Sequence, residues 1–170
     1  SIIKTENGSY PCNTYQERWD TFRILREQIL QLDQIQLRKF LNQMFSNYDI
    51  DWYKPIREKA MNWGQIKELS QHPLCTIGGH TITHPALNQL SDDDFRKEVR
   101  LGIEMLESVT GQKINHFAYP YGSPNEIGER EYRLINEFNF KTSLIAYGGC
   151  ITNENKNNIT HLPRVFLHER

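Results

Sequence analysis

The stretch Leu74-Cys75-Thr76-Ile77-Gly78-Gly79-His80-Thr81-Ile82-Thr83-His84-Pro85 decides the reading of the fold. Leu74 to Gly79 is a short apolar run ending in two glycines, the pattern of a buried strand that gives way to a loop. Downstream the texture alternates. Ser91 opens a helix with Asp92, Asp93 and Asp94 in its first turn, where negative charge suits the positive end of the helix dipole. Phe95, Val99, Ile103, Leu106 and Val109 make the buried stripe of that helix, and Gly111 ends it. Ile114 to Tyr119 reads as the next strand, followed by the turn Pro120-Tyr121-Gly122-Ser123-Pro124. A second helix runs through Ile127, Leu134, Ile135 and Phe138, and Phe140 to Ala146 is another strand. Gly148 to Asn158 is a polar loop, and Leu162 to Leu167 is a last strand interrupted by Pro163. Strands that alternate with helices imply right-handed crossovers and a parallel sheet.

Upstream the chain reads as helical. Trp19, Phe22, Leu25, Ile29 and Leu32 step by three and four, and Leu37, Phe40, Leu41, Met44 and Phe45 repeat the rhythm. Two packed helices with solvated outer faces account for that pattern. Pro55 marks a break, and Asn62 caps a short helix carrying Trp63, Ile66 and Leu69. Residues 1–60 therefore form a helical segment, an insertion or extension, and residues 61–170 form the α/β part.

Composition narrows the function. Lys plus Arg is 20 and Asp plus Glu is 21, a balance without the basic footprint of a general nucleic-acid binder. No apolar stretch approaches a membrane span, and Ser1 to Asn7 is too polar for a signal peptide, which leaves the compartment open. Cys12, Cys75 and Cys150 are widely spaced and make no C-x-x-C pair, which argues against a cysteine zinc knuckle. The chain begins at Ser1 rather than Met, which reads as a start within a longer or processed product.

In parallel sheets, ligands gather at the carboxyl ends of strands. His80 and His84 follow the first strand there, four residues apart. If their segment is helical, both imidazoles leave one face and can share a cation such as zinc. The adjacent glycines let backbone approach closely. After the second strand, the Pro120-Tyr121-Gly122 turn could aim the Tyr121 N–H at a developing oxyanion. Two histidines fall short of the three protein ligands usual for a catalytic zinc.

Taken together, Thr76-Ile77-Gly78-Gly79-His80-Thr81-Ile82-Thr83-His84-Pro85-Ala86-Leu87, then Phe117-Ala118-Tyr119-Pro120-Tyr121-Gly122, then Leu162-Pro163-Arg164-Val165, resemble the polysaccharide deacetylase family. This is carbohydrate esterase family 4, or the NodB homology domain, and the resemblance runs from about Met61 to Val165. It implies an irregular barrel of parallel strands and helices, here partial, that removes acetyl groups from N-acetylated oligo- or polysaccharides. It implies His80 and His84 as ligands of a divalent metal, commonly zinc, whose water attacks the amide carbonyl. It further implies the Tyr121 N–H as oxyanion donor, an aspartate base, and a histidine acid near the end of the domain.

The chain departs from the family pattern in three places. The Thr-Phe-Asp-Asp motif that supplies the metal aspartate and the base, expected ahead of the histidines, is not found, so the base is unassigned. Ala118 stands where the family often carries an arginine that orients the base. His161 and His168 flank the last strand and neither matches the acid securely, while Arg164 is a further candidate to reach the site. Two readings follow. One is the carboxyl-terminal part of a metal-dependent deacetylase, inactive as this chain alone. The other is a non-catalytic carbohydrate- or partner-binding module. Four strands cannot close a barrel, so a missing amino-terminal segment or a second copy is expected to cover the open sheet.

Overall fold

The computed structural model describes residues 1–5, 8–32 and 34–165. The chain divides into two compact units, Ser1–Ala60 and a second that begins at Met61.

The first unit opens with an antiparallel pair, β1 (Ile2–Thr5) and β2 (Gly8–Pro11), where the sequence reading expected only a polar start. Helix α1 (Tyr15–Ile29) follows, capped by Thr14, whose hydroxyl accepts from the Glu17 N–H while Glu17 reaches back to the Thr14 N–H. Helices α2 (Gln34–Met44) and α3 (Lys54–Lys59) complete the unit. Leu25, Leu30 and Met44 are buried, but Trp19 and Phe22 are 53% and 55% exposed, so the expected stripe of α1 is covered only in part. Their rings lie 5.8 Å apart and shield each other instead.

The second unit carries α4 (Trp63–Ser70), α5 (Asp92–Thr110), β3 (His116–Ala118), α6 (Glu129–Asn136), β4 (Thr142–Gly148) and β5 (Leu162–Arg164). Asn62 caps α4, Ser91 caps α5, and Gly111 ends α5 in the left-handed conformation. The sheet runs β3-β4-β5 with both pairs parallel, and the barrel is not closed. The run from Leu74 does not form the strand expected of it. Only Gly79 bridges to Phe117, in parallel sense, through Gly79 N–H to His116 O (2.8 Å) and Ala118 N–H to Gly79 O (2.9 Å). Leu74 is 91% exposed. Among the described residues no strand pairs with the other edge of this segment, and an apolar run without two neighbours stays at a single bridge.

The core lies on one face of the sheet. Phe117, Tyr119 and Ile145 pack against Phe95 and Val99 of α5 and Leu134 and Ile135 of α6. Phe95 is fully buried, worth about 1.5–3 kcal/mol by area alone. Arg130 ties the helices at their ends: it donates to Asp92, Glu131 and the Leu90 carbonyl at 2.6–2.8 Å. Arg96 makes a forked pair with Glu137 at 2.7 and 2.9 Å. The opposite sheet face presents His116, Ala118, Thr142 and Leu144, all only half-buried. This second face borders the histidine loop.

Candidate functional site

His80 and His84 leave the sheet on an irregular loop, not on a helix. Thr81 and His84 both hold positive φ, 62° and 58°. For residues with a Cβ, such backbone costs about 1 kcal/mol or more each, so the surroundings must hold it. The Thr81 hydroxyl donates to the His80 carbonyl (2.6 Å) and accepts from the His84 N–H (3.1 Å). This turn brings the two rings to a centroid separation of 4.7 Å at 73°. The convergence expected from helical spacing is thus achieved by two left-handed residues.

The His80 ring is fixed by backbone. Its Nδ1 lies 2.7 Å from the Ala118 carbonyl. A carbonyl can only accept, so Nδ1 donates there, and Nε2 is the nitrogen left to ligate when the ring is neutral. Ala118, singled out for the side chain it lacks, serves through its main chain. Desolvation, with the charge of His80 added, holds His84 below its ordinary imidazole pKa and favours the neutral, ligating form. The other side of the His84 ring meets Tyr121, centroids 4.7 Å apart at 74°.

Tyr121 stands on a turn tied to β4. Tyr119 N–H donates to Leu144 O (3.1 Å), Ala146 N–H to Gly122 O (2.8 Å) and Gly122 N–H to Pro120 O (2.6 Å). Tyr121 and Gly122 take φ values of 59° and 67°. A Cβ on Gly122 would lie 2.8 Å from the Ala146 nitrogen, so the turn demands glycine on both counts. A shallow depression of about 510 Å³, lined by Gly79, His80, His116, Ala118, Thr142 and Leu144, opens beside the loop.

The structure therefore brings His80, His84 and Tyr121 together. It does not bring His161 to them. His161 precedes Leu162 of β5, which pairs with Leu144 of β4, and no described contact joins its ring to His80 or His84. The ring of His161 stacks on Tyr132 of α6, centroids 4.4 Å apart at 22°, and its Nδ1 meets the Thr160 hydroxyl at 3.2 Å. His168 lies outside the described residues. Arg164 is at the carboxyl end of β5, opposite Gly148, and its Nε donates to the Ile145 carbonyl at 2.8 Å.

Among the described residues no group of three His, Cys, Asp or Glu side chains could hold a metal ion. Two converging imidazoles, that of His80 oriented by the Ala118 carbonyl, fit a divalent cation as partial ligands, and among the described residues no third protein ligand joins them. Several other acids of the chain have local duties. Asp51 accepts from Tyr53 N–H and Lys54 N–H at 3.0 and 3.1 Å and pairs with Arg57. Asp92 and Asp93 are engaged by arginines, and Asp94 by Ser91.

No curated protein matches the chain. Solved structures do. A Streptococcus pyogenes deacetylase, PplD, in complex with acetate matches at 22% identity and TM-score 0.55, over 65% of this chain and 48% of that one. BC0361, a polysaccharide deacetylase from Bacillus cereus, matches at 20% identity and TM-score 0.56, over 71% of this chain and 40% of that one. IcaB from Ammonifex degensii matches at 22% and 0.55, over 63% and 48%. These likenesses establish the fold, and this chain spans half or less of each of those proteins. A sequence profile described as polysaccharide deacetylase matches residues 29–136, beginning well ahead of the Met61 start that the motifs suggested. That match takes in well over half of the chain, and the chain belongs to the polysaccharide deacetylase family.

Proposed function

We propose that the chain is the histidine-bearing, carboxyl-terminal part of a metal-dependent hydrolase that removes acetyl groups from N-acetylated sugars or polysaccharides. The observation that carries this reading is the His80–His84 pair, 4.7 Å apart, with the His80 tautomer set by the Ala118 carbonyl at the carboxyl end of a parallel sheet. His80 and His84 are the proposed ligands, and zinc is the proposed cation. Such a cation, when bound, supplies Lewis-acid chemistry toward an acetamide. The chain's own contribution is positional. The loop presents two converging imidazoles, and the left-handed turn at Tyr121 offers a backbone N–H toward the charge that develops on the carbonyl oxygen. The half-buried face with His116, Ala118, Thr142 and Leu144 is the proposed seat of the sugar.

The base is the gap. General-base help is worth about 10²–10⁴-fold, and no carboxylate of the described residues joins the histidine pair. The same gap favours a second reading, in which the fold binds acetylated glycans or a partner without hydrolysing anything.

Acetate release from N-acetylated oligosaccharides separates the two, with zinc added. The 170-residue chain should release little, and a chain extended upstream through an aspartate-bearing strand should turn over and lose activity on chelation. Vigorous release by the short chain would mean that a base within it has been overlooked. An inert extended chain that still binds acetylated glycans would establish the binding module.

A further inference from the structure

Among the described residues, one side chain hydrogen-bonds the loop between the two histidines from outside. Glu98, on the second turn of α5 and half-buried, reaches across to it. Its Oε2 accepts from the N–H of Ile82 at 3.2 Å and of Thr83 at 2.9 Å, and its Oε1 accepts from the Thr83 hydroxyl at 2.8 Å. All three donors lie between His80 and His84. The loop's own hydroxyl, Thr81, bonds only within the turn. Internal bonds set the shape of the turn, but they do not attach it to the rest of the molecule. Glu98 does, through charge-assisted bonds to consecutive amides. The attachment point is firm, because Phe95 and Val99, flanking Glu98 on α5, are both at the centre of the core.

We infer that Glu98 is the positioning residue of the histidine pair: it locks the left-handed Thr81-to-His84 turn onto α5 and so sets the separation at which both imidazoles meet one ligand. This rests on the proposed ligand role of His80 and His84, and it adds a residue that touches neither ring. Without the carboxylate, two amides and a hydroxyl exchange their fixed acceptor for water, and the strain at Thr81 and His84 is opposed only by the turn's internal bonds, its packing against Gly102 and the anchor of His80 on Ala118. Outer residues that orient ligands typically change metal affinity by about 10–100-fold.

The test compares wild type with Glu98→Ala, Glu98→Gln and His80→Ala. Glutamine keeps an acceptor for the amides and a donor for the hydroxyl, so it is the conservative variant. Amide hydrogen exchange reads the loop without any metal. In Glu98→Ala the Ile82 and Thr83 amides should exchange faster by about tenfold or more while those of β3 and α5 stay unchanged, and Glu98→Gln should restore most of the protection. Zinc titration then reads the consequence: affinity falls about 10–100-fold in Glu98→Ala and recovers in Glu98→Gln. Unchanged exchange at Ile82 and Thr83 overturns the clamp. So does zinc affinity in Glu98→Ala equal to wild type, where His80→Ala has lost it. If wild type and His80→Ala both fail to bind zinc, the ligand reading falls, and the exchange data still decide whether Glu98 orders the turn. A global loss of protection in Glu98→Ala alone would move the judgement to Glu98→Gln, which must then protect the loop like wild type for the clamp to stand.

Discussion

Gly102 faces the Thr81 carbonyl so closely that a Cβ placed on it would lie 2.8 Å from the Thr81 oxygen and 2.9 Å from the carbonyl carbon. The helix and the histidine loop thus touch backbone to backbone. In an open helix interior, Gly→Ala stabilises by about 1 kcal/mol. Here the added methyl must push the loop away, and overpacking of this kind costs about 1–3 kcal/mol. Gly102→Ala is expected to lower the melting temperature despite its better helix propensity, and to perturb the His80 and His84 ring signals in NMR spectra. A more stable variant with unmoved histidine signals would show that the contact has room to give.

The turn on the other side of the pair makes a second demand. Gly122 combines a φ of 67° with a Cβ position 2.8 Å from the Ala146 nitrogen, whose N–H already donates to the Gly122 carbonyl. Gly122→Ala should therefore be worse than an ordinary turn substitution, by about 1–3 kcal/mol. Chemical denaturation of this variant, with exchange of the Ala146 amide as the local readout, checks it. An unaltered midpoint together with a protected Ala146 amide would contradict the geometry.

These contacts mark what could and could not be read in the residues alone. Ser91 and Gly111 announce the ends of α5 because caps are local signals, and the stripe of Phe95 and Val99 is likewise local. The Gly-Gly and histidine motif pointed to the loop on which the His80 and His84 rings converge. Leu74 misled, because an apolar run becomes a strand only when neighbouring strands flank it, and that is not encoded in the run. Trp19 and Phe22 misled in the same way: periodicity states which face is apolar, not that something covers it. The β1–β2 pair was missed because Ser1 to Asn7 registers only as polar, although Ile2, Ile3 and Tyr10 stand on its two strands. The Ala118 carbonyl and the Glu98 clamp had no signal, since each joins segments more than a dozen residues apart through groups that many sequences carry.

Acid should loosen the junction between α5 and α6 first. The hydrogen bond from Arg130 holds Asp92 below its ordinary 3.8, and that from Arg96 holds Glu137 below its ordinary 4.5. A carboxyl whose pKa is lower folded than unfolded binds fewer protons when folded. Its contribution is present above the unfolded value and is lost as pH falls through the folded one. Urea midpoints should accordingly drop below about pH 4.5, and an Arg96→Met, Arg130→Met double variant should be weaker at neutral pH with a shallower acid limb. Because all these groups are largely solvated, salt should blunt the difference. Parallel acid limbs for the two proteins would assign acid sensitivity elsewhere.

Zinc should separate the histidines by role. His80 and His84 share a loop and face each other at 4.7 Å, whereas His161 is stacked on Tyr132 of α6. If the pair holds the cation, a ligand that binds only the folded state raises stability by RT ln(1 + [L]/Kd), about 2.7 kcal/mol at a hundredfold excess over Kd. Zinc should then raise the melting temperature of wild type, and a chelator should reverse the rise. His80→Ala and His84→Ala should lose the zinc response, because an incomplete ligand set tolerates no further deletion. His161→Ala should keep the full zinc response while melting lower even without metal, since it removes a ring packed against Tyr132. The double difference matters: a zinc response that survives in His80→Ala but vanishes in His161→Ala would transfer the cation to the neighbourhood of His161 and Tyr132, and with it the proposed chemistry.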